Sequence, residues 1–238
     1  MAGRRAKTAT NDAVGPVLPP LFLRRLEIAQ IRRRLADGEW VVDLRSRRAF
    51  AAGHLPGSLS FEYVDSLVAN LGWLLPAGTP VTLIGDSPEQ VADAQRDLAR
   101  IGIDRIAGTA RPTEEWHRGV PRLASYPVAD FDDLAAVLRE QEVLVLDVRR
   151  RLEWSGGHIE GALHVPLHLL PGRLPDLPPG PIWVHCQAGY RASVAASLLH
   201  AAGRTVTAID DDFGRAALTG LPLTTAPAAA VAGAPRRA

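Results

Sequence analysis

The 238-residue chain contains one cysteine, Cys186, and one lysine, Lys7. A single thiol cannot build an internal disulfide framework and suits a reducing compartment. Arginine therefore carries nearly all the positive charge, which reads as genome composition before function. The net charge is only +1, so no global field favours nucleic acid or a membrane surface. No segment approaches the roughly 18 apolar residues of a membrane span. Residues 1–15 are polar and basic, without the apolar stretch of a secretory signal. These absences predict a cytoplasmic protein with neither nucleic acid nor membrane as partner.

Hydrophobic residues make up 47% of the chain and charged residues 22%, a globular composition. The length allows one large domain or two of about 100 residues each. An internal repeat decides between them. "WVVDLRSRRAFAAGHLPGSLSF" from Trp40 returns as "LVLDVRRRLEWSGGHIEGALHV" from Leu144. Asp43, Arg45, His54 and Gly57 recur as Asp147, Arg149, His158 and Gly161, all offset by 104 residues. Further on, "PVTLIG" from Pro80 matches "PIWVHC" from Pro181, and each copy continues into an alanine-rich stretch. Repeats of this length are duplicated domains, not solenoid units. The expected division is a disordered segment at 1–20, domains at 21–122 and 123–225, and a low-complexity flexible tail at 226–238.

In the second copy, Val143–Asp147, Ile182–His185 and Val206–Ile209 are apolar runs of buried-strand length. Ala192–Ala202 is alanine-rich enough for a helix, which Gly203 stops. Strands alternating with helices predict an α/β fold with a mainly parallel sheet in each domain. In such sheets ligands bind beyond the carboxyl ends of the strands, and Asp147, Arg149, Cys186 and Asp210 all lie there.

Cys186 ends one such strand in "VHCQAGYRAS". A thiol is a nucleophile only as thiolate, and an ordinary one near pKa ~8.5 is mostly protonated at neutral pH. Backbone N–H groups of Gln187–Arg191, the freedom of Gly189, the positive end of the following helix and the Arg191 charge would together favour the anion.

At this loop the second copy resembles a rhodanese domain, over roughly residues 127–224. "CQAGYR" resembles that family's active-site loop, "LVLDVRRRLEWSGGHIEGALHVP" its strand-and-turn segment, and "GLPL" its final turn. The resemblance implies that Cys186 carries sulfur as a persulfide, cradled by Gln187, Ala188, Gly189, Tyr190 and Arg191. Arg149 matches a position that in some members holds the anionic donor. The implied reaction moves sulfane sulfur from thiosulfate or a low-molecular-weight persulfide to a thiol or cyanide, with a protein thiol as a further acceptor. No metal or organic cofactor is implied. The first copy resembles the family without its chemistry: its loop is "GDSPEQ", with Gly85 in the place of Cys186 and Gln90 in the place of Arg191.

Plainer readings stand beside these. Arg191 and Arg149 either face the donor or serve as structural ion-pair partners. His185 neighbours Cys186 but points to the opposite strand face, which predicts a core histidine. His164 and His168 lack the partners a metal site needs. Asp210, Asp211 and Asp212 either oppose a dianionic donor or cap the segment at 213–218. A cysteine phosphatase or arsenate reductase of similar fold is the competing enzyme reading. Its loop resembles Cys, five residues, Arg, whereas four residues separate Cys186 from Arg191. A non-catalytic interaction module is the third reading, which the thiol-free first copy suits.

Overall fold

The computed structural model describes residues 25–112 and 122–225. The expected disorder at 1–20, the tail at 226–238 and part of the connection between the two copies lie outside the described residues.

The first half opens with helix α1 (Ile28–Ala36) and strand β1 (Trp40–Asp43). Helix α2 (Arg47–Ala52) follows, its first turn capped by the Ser46 hydroxyl, which accepts from the Ala49 N–H. Strand β2 (Leu59–Ser60), helix α3 (Leu67–Leu74) and strand β3 (Val81–Ile84) come next. Helix α4 (Pro88–Ala99) and strand β4 (Ile106–Ala110) complete the half. The four strands form a parallel sheet in the order β2-β1-β3-β4, with Arg25 bridging Thr109 at its edge.

The second half repeats this plan. Strand β5 (Val128–Ala129), helix α5 (Phe131–Glu140) and strand β6 (Leu144–Asp147) lead into the short helix α6 (Arg151–Ser155). Strands β7 (His158–Ile159) and β8 (Leu163–His164) precede helix α7 (Leu170–Arg173). Strand β9 (Ile182–His185), helix α8 (Tyr190–Ala201), strand β10 (Val206–Ile209) and strand β11 (Leu223–Thr224) end it. The main sheet runs β5-β10-β9-β6-β8, all parallel. The chain is thus α/β, with parallel sheets flanked by helices. Beside the main sheet, β11 pairs antiparallel with β7 through Thr224 and His158. In the first half His54, the counterpart of His158, bridges Ala124 in the same antiparallel sense.

The correspondence extends to side chains. Asp43 accepts from the Arg45 guanidinium, whose Nη2 also donates to the Gly53 carbonyl at 2.9 Å. Asp147, Arg149 and the Gly157 carbonyl repeat this clamp, with Nη2 to Gly157 at 2.8 Å. His54 stacks on Phe50 and bonds its carbonyl; His158 does the same with Trp154.

The two halves meet along α8. Its run from Ala192 to Leu199 is buried at every position. A helix buried all round has no polar face to show, and α8 has none because its own strands β9 and β10 cover one side while β2 and α2 of the first half cover the other. One apolar core therefore runs from Val42 and Phe61 through Val184 and Cys186 to Leu199. Among the described residues no helix is long and apolar enough to cross a membrane.

Candidate active site

Cys186 is the first residue beyond β9 and is 2% exposed. The chain then turns within three residues and enters α8 at Tyr190, earlier than the alanine-rich run alone predicts. Gly189 makes this possible: it is the N-cap, with φ of +81°, a backbone region that strains other residues. A Cβ there would also fall 2.2 Å from Asp210 Oδ1. No side chain caps α8, so its positive end opens onto the loop beside Cys186. The Phe213 N–H donates to the Gln187 carbonyl at 2.8 Å and the Tyr190 N–H to the Ala188 carbonyl at 3.1 Å, which fix the turn.

Above the thiol lies a pocket of about 340 Å³ lined by Cys186, Gln187, Ala188, Tyr190 and Arg191, by Arg150 and Glu153, and by Ser66 and Asn70 from the first half. Gly189 forms the turn behind this wall. Arg191 sits in the first turn of α8, where both of its terminal nitrogens donate to Glu153, at 2.7 and 2.6 Å. That carboxylate raises the Arg191 pKa further. The Glu153 carboxyl is in turn held below its ordinary range, first by Arg191. Burial raises the Tyr190 phenol.

Arg149 does not line the pocket, which corrects the expectation that it faces the donor. Its side chain is 2% exposed and its guanidinium is committed to Asp147, at 2.7–3.1 Å, and to the Gly157 carbonyl. The Phe213 ring covers the guanidinium at 3.6 Å. A fully buried arginine needs such partners, and the clamp instead fixes the turn that carries Arg150 to the pocket wall. His185 is fully buried between Phe131 and Phe213, with Nε2 3.6 Å from Asp147 Oδ2. Burial lowers its pKa, so the ring is held neutral. His164 stacks on Trp154 and bonds the Arg149 carbonyl, while His168 meets the edge of Trp73.

The acidic run is spoken for. Asp210 accepts from Arg47 at 2.6 Å and from Arg48 at 2.8 Å, both in the first half. Asp211 pairs with Arg215 at 3.1 Å. Asp212 accepts from the Gly214 N–H at 2.7 Å and caps the 3₁₀ turn Phe213–Leu218. The three carboxylates thus join the halves and start a turn, and none lines the pocket.

The corresponding loop of the first half is closed. Ser87 caps α4, accepting from the Gln90 N–H. The Gln90 amide turns inward: Oε1 accepts from the Asp86 N–H at 2.8 Å and Nε2 donates to the Leu44 carbonyl at 3.2 Å. A Cβ on Gly85 would meet Val91 Cγ2 at 2.7 Å and Gln90 Oε1 at 2.8 Å.

Sequence reasoning missed four of the pocket's residues. Glu153 stood inside the "RRRLEW" segment, three residues beyond Arg150, and its helical spacing to that residue was the available signal. Arg150 was masked by its arginine neighbours. Ser66 and Asn70 carry no local signal, because their relevance comes from the packing of α3 against the other half.

Residues 130–214 match the family model of the rhodanese-like domain. The chain is 36% identical over 95 residues to an HTH-type transcriptional regulator of Mycobacterium tuberculosis, covering 37% of this chain and 42% of the regulator. It is 33% identical over 72 residues to a sulfurtransferase of Allochromatium vinosum, covering 29% of this chain and 67% of that protein. Among solved structures, a thiosulfate sulfurtransferase from Pseudomonas aeruginosa is 22% identical, with a TM-score of 0.38, covering 85% of this chain and 41% of that one. The chain thus spans less than half the length of the regulator and of the Pseudomonas enzyme. Through residues 130–214 and the loop that carries its one thiol, the chain belongs to the rhodanese-like family.

Proposed function

We propose that the protein is a sulfurtransferase working through a Cys186 persulfide. The observation that carries this reading is the placement of the chain's only thiol in a pocket at the carboxyl end of β9, beside the uncapped positive end of α8. With thiosulfate as donor, the Cys186 thiolate attacks the outer sulfur; a new S–S bond forms, the old one breaks, and sulfite leaves with the electron pair. The persulfide anion that remains sits against the loop of Gln187, Ala188 and Gly189 and the first turn of α8 at Tyr190 and Arg191, where backbone dipoles and a nearby guanidinium favour negative charge. An acceptor thiolate or cyanide then attacks the outer sulfur and releases the Cys186 thiolate, giving ping-pong kinetics. A low-molecular-weight persulfide donor follows the same course with a thiolate as leaving group, and a protein thiol is a further acceptor. The cycle needs free thiols, which suits the cytoplasm.

We read the first half as a tandem copy of the same domain, residues 21–122 beside 123–225, that has lost its thiol. The equivalent strand order, the doubled Asp–Arg clamp and the doubled His–aromatic stack support this. With Gln90 filling the loop, this copy works as scaffold: it covers α8 and supplies Ser66 and Asn70 to the pocket wall.

Cys186→Ser tests the reading. Sulfur transfer from thiosulfate or an organic persulfide should fall by at least about 10³-fold, as for loss of a catalytic nucleophile, with an unchanged urea midpoint. Retained turnover would reject it.

A further inference from the structure

The guanidinium groups around Cys186 are unequally free. Arg149 is buried on Asp147. Arg191 is locked on Glu153 by two bonds. Arg47, behind Gly189, is shared between Asp210 and Glu62. Arg150 lines the same pocket, yet among the described residues it has no carboxylate partner. Its backbone N–H donates to Glu153 Oε2 at 3.0 Å, and its guanidinium lies over the Trp73 ring, 4.9 Å from the centroid.

Trp73 belongs to α3 of the first half. It is 51% exposed, so its face is open to a side chain at the pocket mouth. Its other neighbour is His168, edge-on at 6.3 Å. A cation over an aromatic face is attracted by the ring's quadrupole, and arginine stacks there while its N–H edge stays available to an anion. The aromatic face therefore restrains a long side chain at the pocket mouth without neutralising its charge, which a carboxylate partner would do.

We propose that Arg150 is the residue that binds the oxyanion end of a small sulfur donor, of the thiosulfate or thiosulfonate class, and that Trp73 is its positioning residue. This rests on the reading of Cys186 as the sulfur-accepting nucleophile. The donor's outer sulfur points down to Cys186 and its SO₃ group faces the rim, where Arg150 meets it. The otherwise silent first half then sets donor affinity through one aromatic ring.

The test uses the full chain, with thiosulfate as donor and cyanide as acceptor. Arg150→Ala should raise KM for thiosulfate about 10-fold, the loss of one charge-assisted hydrogen-bonding group, and leave kcat and the cyanide KM within about twofold. Trp73→Ala should raise the same KM about threefold, the scale of an exposed cation–π contact, with Trp73→Phe recovering most of it. Raising ionic strength should increase the wild-type KM, and that dependence should flatten in Arg150→Ala. Both side chains are at the surface, and matching thermal midpoints will establish intact folds. Equal thiosulfate KM values in wild type and Arg150→Ala, or loss confined to kcat, overturn the proposal. Sulfur uptake by Cys186 from an organic persulfide but not from thiosulfate overturns it while leaving the sulfurtransferase reading intact. No uptake from either donor removes both.

Discussion

The loops after β3 and β9 occupy equivalent places in two halves of one plan, and they differ in how the next helix begins. After β3, Ser87 caps α4, Pro88 presets its first turn and Gln90 folds its amide back into the loop. Ser87 and Gln90 thus bond the loop to itself, and a Cβ on Gly85 would have to displace the Val91 and Gln90 side chains. After β9, Gly189 starts α8 with a left-handed turn and no side-chain cap, and the thiol of Cys186 stands in front of it. The first solution favours stability. The second leaves the helix end without a side-chain cap, an arrangement that suits the anionic intermediate proposed for it. One framework thus carries either a closed loop or an open, thiol-bearing one according to six loop residues, 85–90 in one half and 186–191 in the other.

The shared part of the framework is the first place to test that comparison. Asp147 and Asp43 are both fully buried, but Arg149 is 2% exposed against 11% for Arg45. Removing one member of a buried pair strands the other charge, at a typical cost of about 3–5 kcal/mol. Asp147→Ala should fall in that range by urea unfolding and Asp43→Ala below it. Equal, small losses would mean that the clamp is not the common anchor of the two halves.

The next effect concerns the seam. His54 is 1% exposed, stacks on Phe50, and places Nε2 3.2 Å from Nδ1 of His200 on α8. Burial, with smaller contributions from His200 and Arg45, lowers its pKa from 6.5 to about 4. Between those pH values the unfolded chain binds more protons than the folded one. The stabilisation is therefore complete above about pH 6.5 and lost as the pH falls to 4, amounting to about 3 kcal/mol. Burial lowers His185 and His200 as well. Urea unfolding from pH 7 to 4 should thus become clearly less steep with pH in His54→Gln, though not flat. An unchanged slope would remove His54 from the account.

Much of this was legible in sequence because the evidence was periodic or positional. Apolar runs marked β9 and β10 to the residue, the 104-residue offset paired the residues that form the doubled clamp, and a lone cysteine after a strand pointed to the pocket proposed as the site. What stayed hidden depended on three-dimensional reach. Arg149 and Arg150 are adjacent and identical, and only the Asp147 clamp decides that one is interior and the other faces the pocket. Asp210 finds Arg47 from 163 residues away, so the acidic run reads in sequence as a field or a cap; Asp212 is indeed a cap, and the joint made by Asp210 has no local signal. The start of α8 at Tyr190 depended on the backbone angle of Gly189, and residue identity only permits such an angle.

Smaller effects sharpen the contrast between the loops. Gly189→Ala should destabilise the protein by about 1–2 kcal/mol from the left-handed backbone alone. It should also slow sulfur transfer, because the new methyl must displace Asp210 from its bond with Arg47. A variant with wild-type activity would show that the turn tolerates movement. Gly85→Cys should gain no sulfur-transfer activity in a Cys186→Ser background, since Val91 and Gln90 occupy the space. Turnover from that protein would mean that the first loop is open after all.

The most direct measurement is the intact mass of the protein, and of the peptide containing Cys186, after incubation with thiosulfate or an organic persulfide. The account predicts a gain of one sulfur, about 32 Da, as a persulfide, confined to that peptide, reversed by a thiol reductant and absent from Cys186→Ser. An unmodified Cys186 after exposure to both donors would contradict it.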